Sequence, residues 1–138
     1  MKITSFLLLL IGLLSCTPTA QKTNIKSISV STYGGDRGYS RSVKITKDSI
    51  FSDTSIAVDS TENSSSKKLN TQYKLQDLVS DAQLDELNII KNGESRQPVD
   101  GTDTSLIIET DKKTLTITNG ESSGLWRKIV DKINSFDK

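Results

Sequence analysis

Ile25-Lys26-Ser27-Ile28-Ser29-Val30-Ser31-Thr32-Tyr33-Gly34-Gly35-Asp36-Arg37-Gly38-Tyr39-Ser40-Arg41-Ser42-Val43-Lys44-Ile45-Thr46-Lys47 is the stretch that decides the fold class. Ile28 and Val30 share one side with Lys26 and Thr32, while Ser27, Ser29 and Ser31 share the other. Beyond the glycines the same period of two returns in Tyr39, Arg41, Val43 and Ile45. Alternation of this kind, carried by β-branched residues, marks half-buried strands. The glycines between them supply a connection that turns the chain back, so the segment reads as a β-hairpin with one face toward a core.

Working outward toward the C-terminus, Ile50-Phe51 and Ile56-Ala57-Val58 suggest a third strand with a turn or bulge at Ser52-Asp53. Residues 61–68, which include a serine tract, are polar and of low complexity, and they read as a flexible loop. Leu69, Thr71, Tyr73 and Leu75 alternate as a fourth strand. Ser80 followed three residues later by Gln83 forms a capping box. It opens a helix with Leu84, Leu87 and Ile90 on one side, which Asn92-Gly93 stops. Residues 94–101 form a loop containing Pro98. Residues 104–110 and 114–118 make a second hairpin around Asp111-Lys112-Lys113, with Leu106, Ile108, Leu115 and Ile117 pointing inward, and Asn119-Gly120 ends it. Ser122 or Ser123 caps a last helix, in which Leu125, Ile129, Ile133 and Phe136 recur at helical spacing and Trp126 and Val130 widen the stripe. Trp126 reads as core or rim, the alternative being an exposed aromatic anchor for a partner. The succession ββββ-α-ββ-α predicts an α+β domain: an antiparallel sheet of five to six strands with two helices packed on one face.

Toward the N-terminus the pattern changes. Met1-Lys2 gives a short positive start, residues 6–14 are apolar apart from Gly12, and Leu13-Leu14-Ser15-Cys16 closes the run. This is the layout of a secretory signal, too short for a comfortable membrane span. Leu13 to Cys16 resembles the lipobox of bacterial lipoproteins. That resemblance implies that residues 1–15 are removed and that Cys16 is lipidated at sulfur. Residues 16–24, polar and containing Pro18, would then tether a single domain over residues 25–138. Cleavage after Ala20 is the competing reading. Cys16 is the single cysteine, so an intramolecular disulfide is impossible, and lipidation would consume an otherwise isolated thiol.

Composition limits the chemistry. Lysine and arginine number 18 against 17 acidic residues, and Lys2 would leave with the signal. That balance disfavours nucleic acid as a partner, since phosphate binding needs a basic excess. The chain has no histidine, which removes Ser-His-Asp and Cys-His mechanisms and the usual ligands for zinc, copper and haem. No metal or cofactor is expected, and any acid–base work would fall to carboxylates, lysine or tyrosine.

Gly34, Gly35, Asp36, Arg37 and Gly38, with Arg41 nearby, form the most distinctive internal motif. It can serve as a hairpin connection needing positive φ, as a contact for a protein partner, or as a backbone nest for a small anion with Arg37 and Arg41 adding charge. No Gly-Lys-Ser/Thr follows, so it is not a nucleotide phosphate loop. The Gly-Gly-x-x-Gly turn between strands, followed by a helix, a strand pair and a C-terminal helix, is similar to emfourin, a small bacterial inhibitor of thermolysin-like metalloproteases. It also looks like small secreted proteins of the Bacteroidetes. The likeness runs from Ile28 to about Ile133 on Gly34, Gly35, Gly38 and the apolar pattern. Asp36-Arg37 stands where the family turn usually has an aromatic and a small residue, and residues 61–68 are an insertion. The resemblance implies that the glycine turn touches the partner.

Other motifs are weaker. Ser64-x-x-Lys67 and Ser65-x-x-Lys68 match an element of penicillin-recognising enzymes but lack its companions, as chance in a serine tract allows. Asp100, Asp103 and Glu109 evoke a calcium loop without its frame. Asp77, Asp81, Asp85 and Glu86 suit the positive end of a helix dipole. Asp48-Ser49-Ile50 and Asp59-Ser60-Thr61 resemble a short O-glycosylation motif of exported Bacteroidetes proteins. Together these readings predict a lipoprotein of the bacterial envelope, on the periplasmic side of the outer membrane. It is expected to be a non-catalytic binding or inhibitory module whose partner is an envelope or secreted protein. An assembly accessory or a carboxylate-based enzyme are the alternatives.

Overall fold

β1 (Ile25–Gly34) and β2 (Tyr39–Thr46) pair antiparallel, with Ile28 opposite Ile45 and Val30 opposite Val43. They lie within a computed structural model that describes residues 22–137, so the signal segment, Cys16 and most of the proposed tether lie outside the described residues. β3 (Ser49–Ile56) and β4 (Ser64–Leu69) continue the sheet on one side, and β5 (Thr102–Thr110) and β6 (Thr114–Thr118) on the other. The result is a six-stranded antiparallel sheet in the order β4-β3-β2-β1-β5-β6. With helices α1 (Leu75–Leu78), α2 (Asp81–Leu87) and α3 (Gly124–Asn134), the described residues form an α+β fold.

One apolar cluster joins Ile28, Val30, Val43, Ile45, Leu106, Ile108 and Ile117 of the strands to Leu75, Val79, Leu87, Trp126, Ile129 and Ile133. Burying each large side chain of this set is worth about 2 kcal/mol. α3 packs on β1 and β2 and touches α2, while α1 packs on β1. The capping box at Ser80 and Gln83 is formed, and Ser123 accepts from the Trp126 N–H at the start of α3. Trp126 is buried and its indole N–H donates to the Ile117 carbonyl at 3.1 Å, so it belongs to the core and is no exposed anchor.

Four expectations need correction. Residues 64–69 are not a loop: they are an edge strand in register with β3, from Thr54 opposite Ser64 to Ser49 opposite Leu69. Every residue of β4 is exposed, so its polar composition reported exposure rather than lack of pairing. The expected strand through Leu69 and Leu75 is absent for a local reason. The Asn70 side chain donates to the carbonyls of Thr46 and Tyr73 and accepts from the Tyr73 N–H, which fixes a turn that leads into α1. β3 runs unbroken through Ser52 and Asp53, and it stops at Ile56. α2 ends at Leu87, and Asn92-Gly93 instead closes the end of β6: Asn92 Oδ1 accepts from the Thr118 N–H, and the Gly93 N–H donates to the Thr118 carbonyl.

Candidate functional site

Three connections meet at one end of the sheet: residues 35–38 between β1 and β2, residues 57–63 between β3 and β4, and residues 94–101 leading into β5. Glycine makes their close approach possible. Gly34 has φ +123°, and a Cβ there would stand 2.6 Å from the Gly101 carbonyl oxygen. Gly38 has φ +63°, and its Cβ would meet Ala57 Cβ at 2.7 Å. The Gly35 N–H donates to the Gly101 carbonyl at 3.1 Å, the Gly38 N–H to the Gly35 carbonyl at 3.1 Å, and the Ala57 N–H to the Gly38 carbonyl at 3.2 Å. The glycine turn is thus stitched to both neighbouring loops.

These bonds bear directly on the anion nest. The N–H groups of Gly35 and Gly38 already donate within the fold, and the two arginines do not converge. Arg37 pairs with Glu62 at 3.2 Å across the loop end. Arg41 lies on the side of β2 that carries Val43 and Ile45, where it holds Asp137 at 2.8 Å. The Ser52 hydroxyl and then Arg41 keep the Asp137 carboxyl below its ordinary pKa. Asp36, Arg37 and Gly38 are exposed at the tip.

The third loop hangs on Asp103, a residue whose structural weight the sequence reading missed. Its carboxylate accepts from the Ser95 hydroxyl at 2.7 Å, the Arg96 N–H at 2.8 Å, the Gln97 amide at 3.0 Å and the Asn119 amide at 2.7 Å. Asn119, left-handed at φ +51°, also donates to the Glu94 carbonyl and accepts from the Thr104 N–H. The donors, the Arg96 N–H first, hold the Asp103 pKa far below the usual carboxylate range. The available signal was an Asp opening one strand and an Asn-Gly closing its hairpin partner. Arg96 reaches Glu121 at 2.9 Å on the outside.

The surface so built is acidic and studded with small apolar groups. In these three connections Asp36, Asp59, Glu62, Glu94 and Asp100 face Arg37 and Arg96; Glu121 of the β6–α3 connection adds to the acidic side, and Lys91 stands earlier in the segment before β5. Val58 and Val99 are 67% and 80% exposed. An ordered backbone carrying exposed side chains is suited to contact with a protein surface, because little freedom remains to be lost on binding.

The remaining motifs fall elsewhere. Both Ser-x-x-Lys pairs lie on the exposed strand β4, not at a helix start. Asp103 has its oxygens filled by donors, while Glu109 binds the Ser27 hydroxyl at 2.6 Å and Lys44 at 3.2 Å further down the sheet. Among the described residues no group of three histidine, cysteine or acidic side chains is placed to share a metal ion. Ser49 is buried at the start of β3, and Ser60 is exposed. Among the described residues no helix is long and apolar enough to cross a membrane. Compared with models of known protein families and with curated protein sequences, the chain matches none.

Proposed function

We propose that the chain is a lipid-anchored, non-catalytic binding module of the bacterial cell envelope, held through lipidated Cys16 on the periplasmic side of the outer membrane. Its contact surface is the loop end, with Gly34, Gly35, Asp36, Arg37 and Gly38 at the centre, and its partner is an envelope or secreted protein. The observation that carries this reading is the stitching of the glycine turn to residues 57 and 101, which holds an exposed tip in one conformation. Inhibition of a thermolysin-like protease is the form of binding that the likeness to emfourin implies. Arg41, paired with Asp137 away from the tip, acts as a brace for β2 rather than a contact. The helices cover one face of the sheet, and the other, which bears Ser29 and Ser31, carries Ser27, Asp103 and Ser105 buried among their neighbours. Support comes from the single apolar cluster that α1, α2 and α3 share with the strands.

Two measurements test the proposal. Intact-mass analysis of the protein from its native membrane should find a diacyl or triacyl adduct on a chain beginning at Cys16, lost in Cys16→Ala. A chain beginning at Gln21 would sink the anchor. Photocrosslinkers placed at Asp36 and Val99 should capture one partner that a crosslinker at Lys112 does not, and capture from all three positions alike would sink the loop-end assignment.

A further inference from the structure

The opposite end of the sheet has the opposite charge. There the chain enters β1 through Lys22, Thr23 and Asn24, beside the β2–β3 turn with Lys47, the segment 70–74 with Lys74, and the β5–β6 turn. These parts are bound together: Asn24 and Asp111 exchange two hydrogen bonds, and the Asn70 N–H donates to the Asp48 carbonyl. The acidic side chains here are Asp48, Asp81 and Asp111, against Lys22, Lys47, Lys74, Lys112 and Lys113; Asp81 accepts from the Thr23 N–H and Asp111 from the Asn24 N–H. Lys22, Lys47 and Lys74 are exposed, and none forms an ion pair among the described residues. Lys47 and Lys74 line a groove of about 420 Å³ whose walls also include Asn24, Asn70, Gln72 and Gln76.

We infer that this end lies flat against a membrane surface bearing anionic lipid headgroups, with headgroup phosphates seated between Lys47 and Lys74. The inference rests on the lipid-anchored reading and adds orientation to it. Residues 16–22 reach at most about 20 Å when extended, so an anchor at Cys16 keeps the basic end beside the bilayer. That tether lets the lysines come within about 10 Å of a negative surface, one Debye length, where they are drawn to it. The acidic loop end lies about 30 Å further off, one strand length, beyond the reach of that attraction. Anchor and field together point the glycine turn away from the membrane toward a partner in solution.

The test is flotation of residues 16–138, with Cys16→Ser so that no lipid contributes. Vesicles of phosphatidylcholine mixed with phosphatidylglycerol are compared with vesicles of phosphatidylcholine alone. The mixed vesicles should carry about tenfold more protein, and high salt should abolish the difference. The double reversal Lys47→Glu with Lys74→Glu should remove it with an unchanged melting temperature. Arg37→Glu with Arg96→Glu, the same change in net charge at the far end, should leave it in place. Equal binding to both vesicle types overturns the inference, and so does an equal loss from the two double reversals. The anchor is judged separately by the mass of Cys16. A lipid adduct without headgroup selectivity removes the orientation and keeps the anchor, whereas selectivity without an adduct removes the anchor alone.

Discussion

The two ends of the sheet are built from the same materials and come out different. At the loop end, one buried carboxylate organises the backbone: Asp103 gathers Ser95, Arg96, Gln97 and Asn119, and the glycine turn leans on the result through Gly101. At the entry end the organiser is an amide, Asn70, which holds the carbonyls of Thr46 and Tyr73 and the Tyr73 N–H. A buried charge with four donors is stronger than a neutral amide with three partners, and it is also more sensitive to pH. The end carrying the proposed contact surface therefore has the tighter and more conditional scaffold.

The largest expected effect comes from removing that charge. Asp103→Ala should lower the melting temperature by on the order of 10 °C, because it leaves several buried donors without an acceptor. Hydrogen exchange should speed up at Gly35 and Arg96 while Asp111 stays protected, and uniform loss of protection would break the distinction between the ends. Gly34→Ala should cost about 2 kcal/mol in chemical unfolding, from a strained positive φ and a contact with the Gly101 carbonyl. Asn70→Ala should cost about 1 kcal/mol and loosen the entry end alone, as exchange at Tyr73 would show.

The pH dependence follows from the sign of the shift. The Arg96 N–H and the Ser95 hydroxyl hold the Asp103 pKa below its ordinary value, so its contribution is present above the unfolded value and is lost as pH falls through the folded one. Stability should therefore hold down to about pH 4 and drop below it. Asp103→Asn, measured by denaturant melts across that range, should flatten the slope, and an unchanged slope would assign acid sensitivity to Asp137 or Glu109 instead. The smallest effect belongs to Arg37→Ala, which removes an exposed ion pair with Glu62 and should change stability by no more than about 0.5 kcal/mol. If that variant also weakens partner capture, the role of Arg37 is in contact and not in folding.

β1, β2, β5 and β6 were legible in the sequence because one face of each enters the core. Ile28, Val30, Val43, Ile45, Leu106, Ile108 and Ile117 all point inward as their alternation predicts, since burial selects for a period of two. β4 was illegible because a fully exposed edge strand has no buried face to impose a pattern. The turn at Asn70 was hidden behind an accidental alternation of Leu69, Thr71, Tyr73 and Leu75, which one side-chain amide overrides. At the loop end the glycines showed that a turn exists, while nothing local revealed its neighbours. Gly101 and Ala57 reach it only through the sheet order. The hydrogen-bond hub at Asp103 was likewise out of reach, because Asp103 and Asn119 come together only when β5 pairs with β6.

The place of β1 has a further, kinetic consequence. It is the first strand among the described residues and one of the two in the middle of the sheet, and its partner on one side is β5. The bond from Ser27 to Glu109 joins residues 82 positions apart. Pairings so distant in sequence form slowly, and β1 to β3 alone lack the surface that buries Ile28 and Val30 from the other side. The core therefore closes late in refolding, once β5 pairs with β1, although the β1–β2 and β2–β3 hairpins are local.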